Sequence, residues 1–145
     1  MPEAVGLVIV GDGPMRDVLE ADIDKHAMRS RTWFAGDRPD VLPWLRAMDV
    51  FALPSYANEG VPQALIQAML VGLPCVTTHV GSIAELAIQG STALVVMPQD
   101  VSALRGAIET LLADETLRKR LADSARRHCS ERFSYAAMLD RMEAI

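Results

Sequence analysis

Short segments of continuous hydrophobicity alternate with helix-like segments along most of this chain. The apolar segments are residues 6–10, 32–35, 50–53, 74–78 and 93–96. Because their hydrophobicity is continuous rather than alternating, we expect strands that are covered on both faces, which is typical of parallel sheets. Helical spacing between them favours βαβ units. We therefore predict an α/β fold with a Rossmann-like, doubly wound parallel sheet of about five strands.

Beyond residue 98 the pattern becomes purely helical. An apolar stripe through Leu104, Ile108 and Leu111 predicts one helix with Asp100 as its N-cap, and a second stripe begins at Leu117. A last helix is expected from about residue 134, where Met138, Met142 and Ile145 share one face. The chain stops on that apolar face, so we interpret it as a truncated rather than a finished domain.

Composition limits the classes of function. The chain has 145 residues, half of them hydrophobic, which fits one domain over residues 1–145. The net charge is −5 and the basic residues are scattered, so no nucleic-acid partner is expected. The two cysteines and three histidines are dispersed, so we predict no metal site. Neither a signal peptide nor a bilayer-spanning segment is visible, and we expect a reducing, cytoplasmic location.

Parallel α/β sheets place ligands beyond the carboxyl ends of their strands. The loops of interest therefore begin at Gly11, Gly36, Pro54 and His79. The loop from Pro54 is the most informative of the four, because it leads into a helix that we expect to open near Pro62, where proline is tolerated in the first turn.

The start of that helix has the chemistry of a donor site. Backbone amides at Gly60 and Val61 are expected at the positive end of the helix dipole, which attracts phosphate. Glu59 can accept hydrogen bonds from a polyol, and the amide of Gln67 suits a pair of ribose hydroxyls. Two simpler interpretations stay open: Glu59 as an acid that compensates the helix dipole, and Gln67 as an exposed helix residue.

Five motifs in order give the chain a family resemblance. Residues 59–76 resemble the signature of the family 4 glycosyltransferases, in which glutamate, seven residues and a second glutamate precede Ala-Met and Gly-x-Pro-Val-Val. The other four motifs are residues 10–14, 34–36, 49–55 and 78–81 with Glu85. Members of this family are retaining enzymes of the GT-B fold. The chain departs from the signature at position 67, where Gln67 replaces the second glutamate.

The resemblance implies a binding site for a nucleotide-diphosphate sugar, UDP- or GDP-linked, as the donor of a hexosyl-type transfer. Glu59 would be the catalytic residue that holds hydroxyls of the donor sugar, and Gln67 would bind the ribose. The remaining donor-binding positions are Gly60, Val61 and Pro62 at the sugar or diphosphate, Gly11 and Gly13 beside the nucleotide, and Gly36 and Asp37 at the base. No metal or other cofactor is expected.

Parts of the family pattern are absent. The strand and helix that carry an arginine and a lysine for the diphosphate have no counterpart before Leu7, so the sheet is expected to lack its first strand. The N-terminal domain, which would bind an acceptor saccharide or lipid, is also missing. We therefore expect the fragment alone to be inactive and prone to self-association. The helix from about 134 would pack on the missing domain, and the full-length protein could sit peripherally at the inner face of the membrane.

Three alternatives stay open. Ser82 and Glu85 also form a capping box, which needs no ligand. A sugar-nucleotide epimerase would share the fold and the nucleotide pocket, with His79 as the one candidate for its chemistry. The chain could also be a non-catalytic nucleotide-binding or assembly module, in which Gln67 in place of glutamate marks loss of the donor site.

Overall fold

The computed structural model describes residues 5–57 and 60–133. These residues form two compact units, divided between Trp44 and Leu45. All five predicted strands are present, and every described strand pairing is parallel. The strands are distributed over a two-stranded sheet in the first unit and a three-stranded sheet in the second.

The first unit is one βαβ arrangement. Its elements are β1 (Leu7–Val10), α1 (Arg16–Lys25), a 3₁₀ turn (Arg29–Arg31) and β2 (Thr32–Gly36). The register pairs Leu7 with Thr32 and Ile9 with Phe34, and then shifts so that Val10 lies opposite Gly36. Because the pairing is parallel, the last residues of both strands lie at the same edge of the sheet. A short helix α2 (Leu42–Arg46) crosses the division between the units.

The second unit holds the three-stranded sheet and most of the helices. Its elements are β3 (Phe51–Leu53), α3 (Gln63–Val71), β4 (Cys75–Thr78), a 3₁₀ turn (Gly81–Glu85), β5 (Leu94–Val96), α4 (Val101–Ala113) and α5 (Glu115–Arg132). Strand β4 is central, with β3 on one side and β5 on the other. All four of its residues are buried, as continuous hydrophobicity predicted.

One core cluster of the second unit lies between β4 and the helices α4 and α5. Val76 of β4, Leu111 of α4 and Leu121 of α5 are fully buried and pack together. Partly buried apolar side chains surround them, namely Val50, Leu94, Leu104, Ala107, Ile108 and Leu117. Helix α3 also packs against α5, and the thiol of Cys129 lies 3.5 Å from the sulfur of Met69. Burial raises the pKa of Cys129 to about 11, so both cysteines behave as small apolar groups.

Helix ends follow the sequence in most places. Asp100 caps α4 as predicted, accepting a hydrogen bond from the Ala103 amide at 2.8 Å, and Asp114 does the same for α5. The capping box at Ser82 is wrong, because the segment is a 3₁₀ turn that begins after Val80 without a side-chain cap. The helix predicted from about residue 134 lies outside the described residues. Among the described helices, none is long and apolar enough to cross a bilayer.

Helix α1 ends in a Schellman motif with an alanine where glycine is usual. The Met28 amide donates to the Ile23 carbonyl at 2.9 Å and the Ala27 amide to Asp24 at 3.0 Å, with Ala27 at φ +52°. The left-handed conformation costs a Cβ-bearing residue about 1–2 kcal/mol. Glycine avoids this conformational cost but makes the unfolded chain more flexible, which offsets part of the gain. We therefore expect Ala27→Gly to raise the free energy of unfolding by about 0.5–1 kcal/mol in urea titrations.

A matched control lies on the same helix. Ala21 is exposed and right-handed in the interior of α1, so Ala21→Gly should lower the free energy of unfolding by about 1 kcal/mol. If Ala27→Gly raises the free energy of unfolding and Ala21→Gly lowers it, the backbone conformation at Ala27 is the cause of the difference. Destabilisation by both changes would contradict it.

Candidate donor site

The loop from Pro54 joins β3 to α3 as predicted. The helix begins at Gln63, with Pro62 as its N-cap, and no side chain of the described residues caps it. The amides of Leu65 and Ile66 both donate to the Pro62 carbonyl, at 3.1 and 3.2 Å. Gly60 is exposed, and Val61 and Pro62 are half-buried. An uncapped helix start of this kind leaves first-turn amides for an anion or for water.

Gln67 lies half-buried on α3, about a turn and a half beyond Pro62. Its neighbours Ile66 and Ala68 are buried, and its own amide has no hydrogen-bond partner among the described residues. Gln67 is thus less exposed than the simpler interpretation, an exposed helix residue, predicted. Glu59, the predicted catalytic residue, lies outside the described residues.

In the first unit the structure brings two of the predicted glycines together. The amide of Gly11 donates to the carbonyl of Gly36 at 2.8 Å, which joins the loops that follow β1 and β2. Gly11 has φ +120° and Gly36 has φ +70°, conformations that an L side chain rarely adopts. The amide of Gly13 is taken by the carboxylate of Asp12 at 2.8 Å. Asp37, directly after Gly36, is exposed.

Two arginines beside these loops were missed by the sequence interpretation. The guanidinium of Arg16 lies 5.4 Å from the centre of the Phe34 ring, and bonds Asp12 at 3.2 Å and Glu20 at 2.9 Å. Its hydrogen bond to Glu20 is the main cause that raises the pKa of Arg16 and lowers the pKa of Glu20. Arg16 is therefore a cation already balanced by two carboxylates.

The second missed cation is Arg38. Its Nε donates to the Ala35 carbonyl at 2.8 Å, and its guanidinium lies 5.4 Å from the centre of the Trp44 ring. Arg38 follows Asp37 in the loop predicted to contact the base. Position after a strand-ending glycine is the only sequence signal that could have singled it out.

The other positions considered in the sequence lie in ordinary structural settings. His79 and Glu85 are exposed, and the Glu85 carbonyl accepts a contact of 2.9 Å from Nε2 of His128. Burial is the main cause that raises the pKa of the Cys75 thiol. Within the residues that the structure describes, no cluster of three His, Cys, Asp or Glu side chains could hold a metal ion.

The described residues form two shallow grooves. One, of about 250 Å³, is lined by residues of α5 and of the segment before β5, among them Ser124, Arg127 and His128. The other, of about 340 Å³, lies in the first unit beside Arg16 and Trp33. Neither is lined by a residue that was predicted to bind the donor.

Comparison with known proteins identifies the same class of protein. The family model described as Glycosyl transferases group 1 matches residues 2–114. Glycogen synthase of Mycobacterium tuberculosis is 31% identical over 131 residues, which is 89% of this chain and 31% of the relative. The lipopolysaccharide core biosynthesis mannosyltransferase LpcC of Rhizobium leguminosarum is 33% identical over 118 residues, 81% of this chain and 33% of the relative. The chain thus spans about a third of the length of these curated relatives.

The structural comparison agrees. HepE of Anabaena, solved in complex with UDP and glucose, superimposes with a TM-score of 0.92 and 26% identity, over 99% of this chain and 40% of that chain. The predicted fold class is confirmed: the chain has the Rossmann-like α/β architecture of a C-terminal domain of the GT-B fold. A family match over residues 2–114, well over half of the chain, shows that the chain belongs to the group 1 glycosyl transferases.

Proposed function

We propose that the chain binds a nucleotide-diphosphate sugar, as the donor-binding C-terminal domain of a retaining, family 4 glycosyltransferase of hexosyl type. The observation that carries the proposal is the start of α3, where, among the described residues, no side chain caps the helix and none bonds the amide of Gln67 on the same loop–helix unit. A second structure of HepE, which superimposes with a TM-score of 0.89, was solved in complex with UDP-glucose, which supports a UDP-linked donor.

Each part of this unit has a role that its chemistry permits. Backbone amides around Gly60, Val61 and the start of α3 face the diphosphate or the sugar, stabilised by the positive end of the helix dipole. The Gln67 amide offers both a donor and an acceptor to the ribose hydroxyls. Glu59 accepts hydrogen bonds from the donor sugar.

In the first unit, the joined loops of Gly11 and Gly36 would serve the nucleotide. Without side chains at Gly11 and Gly13, a ligand can approach the backbone closely. Backbone groups at Gly36 and Asp37 contact the base. Arg38, held by the Ala35 carbonyl and by Trp44, adds a cation beside that loop.

The proposed chemistry is departure of a nucleotide diphosphate, stabilised by preorganised amides and cations rather than by a resident metal. Helix amides are fixed before the reaction and need no reorganisation as negative charge develops on the leaving oxygen. Because Gln67 is neutral, its hydrogen bonds to ribose are weaker than those of a carboxylate.

The acceptor is proposed to bind elsewhere. The chain spans 31% of its glycogen synthase relative, and we infer that a further domain binds an acceptor saccharide or lipid and that residues from about 134 pack on it. Alone, the chain would bind a donor without transferring its sugar, and its open sheet edge would favour self-association. The two buried free thiols fit a reducing, cytoplasmic compartment.

Changes at Gln67 test the proposed site in both directions. Gln67→Ala removes the ribose hydrogen bonds and should weaken the binding of UDP-glucose about 10-fold, whereas Gln67→Glu should tighten it several-fold because charged acceptors bond more strongly. Isothermal titration with UDP, GDP and their glucose conjugates measures both effects and identifies the base.

Thr110→Ala provides a control on an exposed helical position of the same unit, and its dissociation constant should match that of the unaltered chain. No heat of binding for either nucleotide at millimolar concentration, in a chain extended to the length of the relatives, would refute the donor site. Equal affinities for all three side chains at position 67 would remove Gln67 from it.

A further inference from the structure

We propose that Thr78 is a positioning residue for the donor loop, the segment of residues 54–62 between β3 and α3. Its hydroxyl would set the direction in which this loop leaves the sheet and carries its functional groups to the donor. The inference rests on the proposed function and goes beyond it, because Thr78 is not among the residues proposed to bind the donor.

The geometry begins where the strand ladder ends. The last paired residues of β3 and β4 are Leu53 and Thr77, so Ser55 lies beyond the ladder. The hydroxyl of Thr78 reaches across and donates to the Ser55 carbonyl. Beside it, the hydroxyl of Thr77 donates to the Leu53 carbonyl at 2.9 Å. Two side chains of β4 thus hydrogen-bond the last residue of β3 and the residue two positions beyond it.

Thr78 is itself rigidly held. It is 2% exposed and lies opposite Val96 on the other side of β4. The next residue, His79, donates its amide to the Val96 carbonyl at 3.1 Å. The backbone of Thr78 is held in the central strand and does not move with the loop. Its hydroxyl can therefore hold the Ser55 carbonyl in place.

The far end of the loop is anchored by packing instead. Helix α3 buries Leu65 and Met69, and it packs against α5. Between the Ser55 carbonyl and Pro62 lie the amides and the carboxylate assigned to the donor. Thr78 therefore contacts the end of the donor loop that helix packing does not hold.

A purely structural role makes a different prediction. Valine has nearly the shape of threonine, so Thr78→Val keeps the packing and removes only the hydrogen bond, leaving the Ser55 carbonyl without that donor. Thr92 gives a matched control in the same unit. It is also 2% exposed, and its hydroxyl contacts the Leu86 carbonyl and the Ile88 amide, each at 2.8 Å, far along the chain from the donor loop.

The experiment compares Thr78→Val, Thr78→Ser and Thr92→Val by amide hydrogen exchange and by titration with UDP-glucose. In Thr78→Val we expect exchange of the described loop amides at 55–57, 60 and 61 to accelerate about 10-fold and the dissociation constant to rise about 10-fold, the equivalent of one lost hydrogen bond. Thr78→Ser keeps the hydroxyl and should restore both values to within about 3-fold. Thr92→Val should lower the free energy of unfolding similarly, with loop exchange and affinity unchanged.

The outcomes separate the two proposals. If the unaltered chain, also when extended to the length of the relatives, binds no nucleotide, the donor function fails, and loop exchange alone decides whether Thr78 positions the loop. If it binds, and Thr78→Val binds as tightly as the unaltered chain or no more weakly than Thr92→Val, the positioning role is overturned. Should Thr78→Val fail to fold, Thr78→Ala and Thr78→Ser are compared with Thr92→Ala by the same two measurements, with the same criteria.

Discussion

Glycosyl transfer by a full-length protein that contains this chain should fall about 10²–10³-fold when Glu59 is replaced by alanine, a loss typical of removing one preorganised transition-state contact. Glu59 is the only acid in the donor loop, and it directly precedes the glycine that leads into the uncapped start of α3. A carboxylate there can hold hydroxyls of the donor sugar while the diphosphate lies against the helix amides. The loss should appear in kcat more than in KM if the contact strengthens in the transition state.

The competing role for Glu59 is compensation of the α3 dipole, which predicts different effects on stability and turnover. A dipole role is worth about 0.3–1 kcal/mol of stability and depends on charge alone. Glu59→Ala and Glu59→Gln would then lower the free energy of unfolding equally and leave turnover intact. Glu109→Ala, which removes an exposed carboxylate paired with Arg105 on α4, controls for loss of charge elsewhere. Undiminished transfer by Glu59→Ala would return Glu59 to the dipole role.

The elements could be predicted because burial in this fold leaves a direct trace in the sequence. Strand β4 is buried along its whole length, so no charged side chain interrupts it. Asp100 was predictable as an N-cap because capping depends on residues only three apart in the sequence. Ser82 and Glu85 have the same spacing, yet the chain there forms a 3₁₀ turn, so a capping pattern is informative only where a full helix follows.

The placement in the fold of the candidate site residues was predicted in part. Gly11 and Gly36 were placed correctly at two strand ends, and parallel pairing of β1 with β2 then brings them into contact. Arg38 and the Thr78–Ser55 contact could not be predicted, because each depends on a tertiary neighbour that no local pattern encodes. The left-handed conformation of Ala27 in the Schellman motif was not predicted, because only glycine and asparagine indicate such a conformation in a sequence.

The core that supports the donor loop should be far more sensitive than any surface position. Leu111 is fully buried and packs against Val76 of β4, two residues before Thr78. Leu111→Ala removes three heavy atoms from this contact and leaves a cavity, so we expect the free energy of unfolding to fall by about 2–5 kcal/mol in guanidinium titrations followed by circular dichroism. That is a large share of the roughly 5–15 kcal/mol that stabilises a typical domain.

Val101→Ala is the control for this cavity. Val101 begins the same helix α4 but is 77% exposed, so truncating it should change the free energy of unfolding by less than about 0.5 kcal/mol. Because the core packs against β4 and β4 holds the donor loop through Thr78, Leu111→Ala should also accelerate exchange in that loop, whereas Val101→Ala should not. A cost below about 1 kcal/mol for Leu111→Ala would mean that the space between β4 and α4 closes around the smaller side chain. In that case the core could not be the rigid support that the donor loop requires.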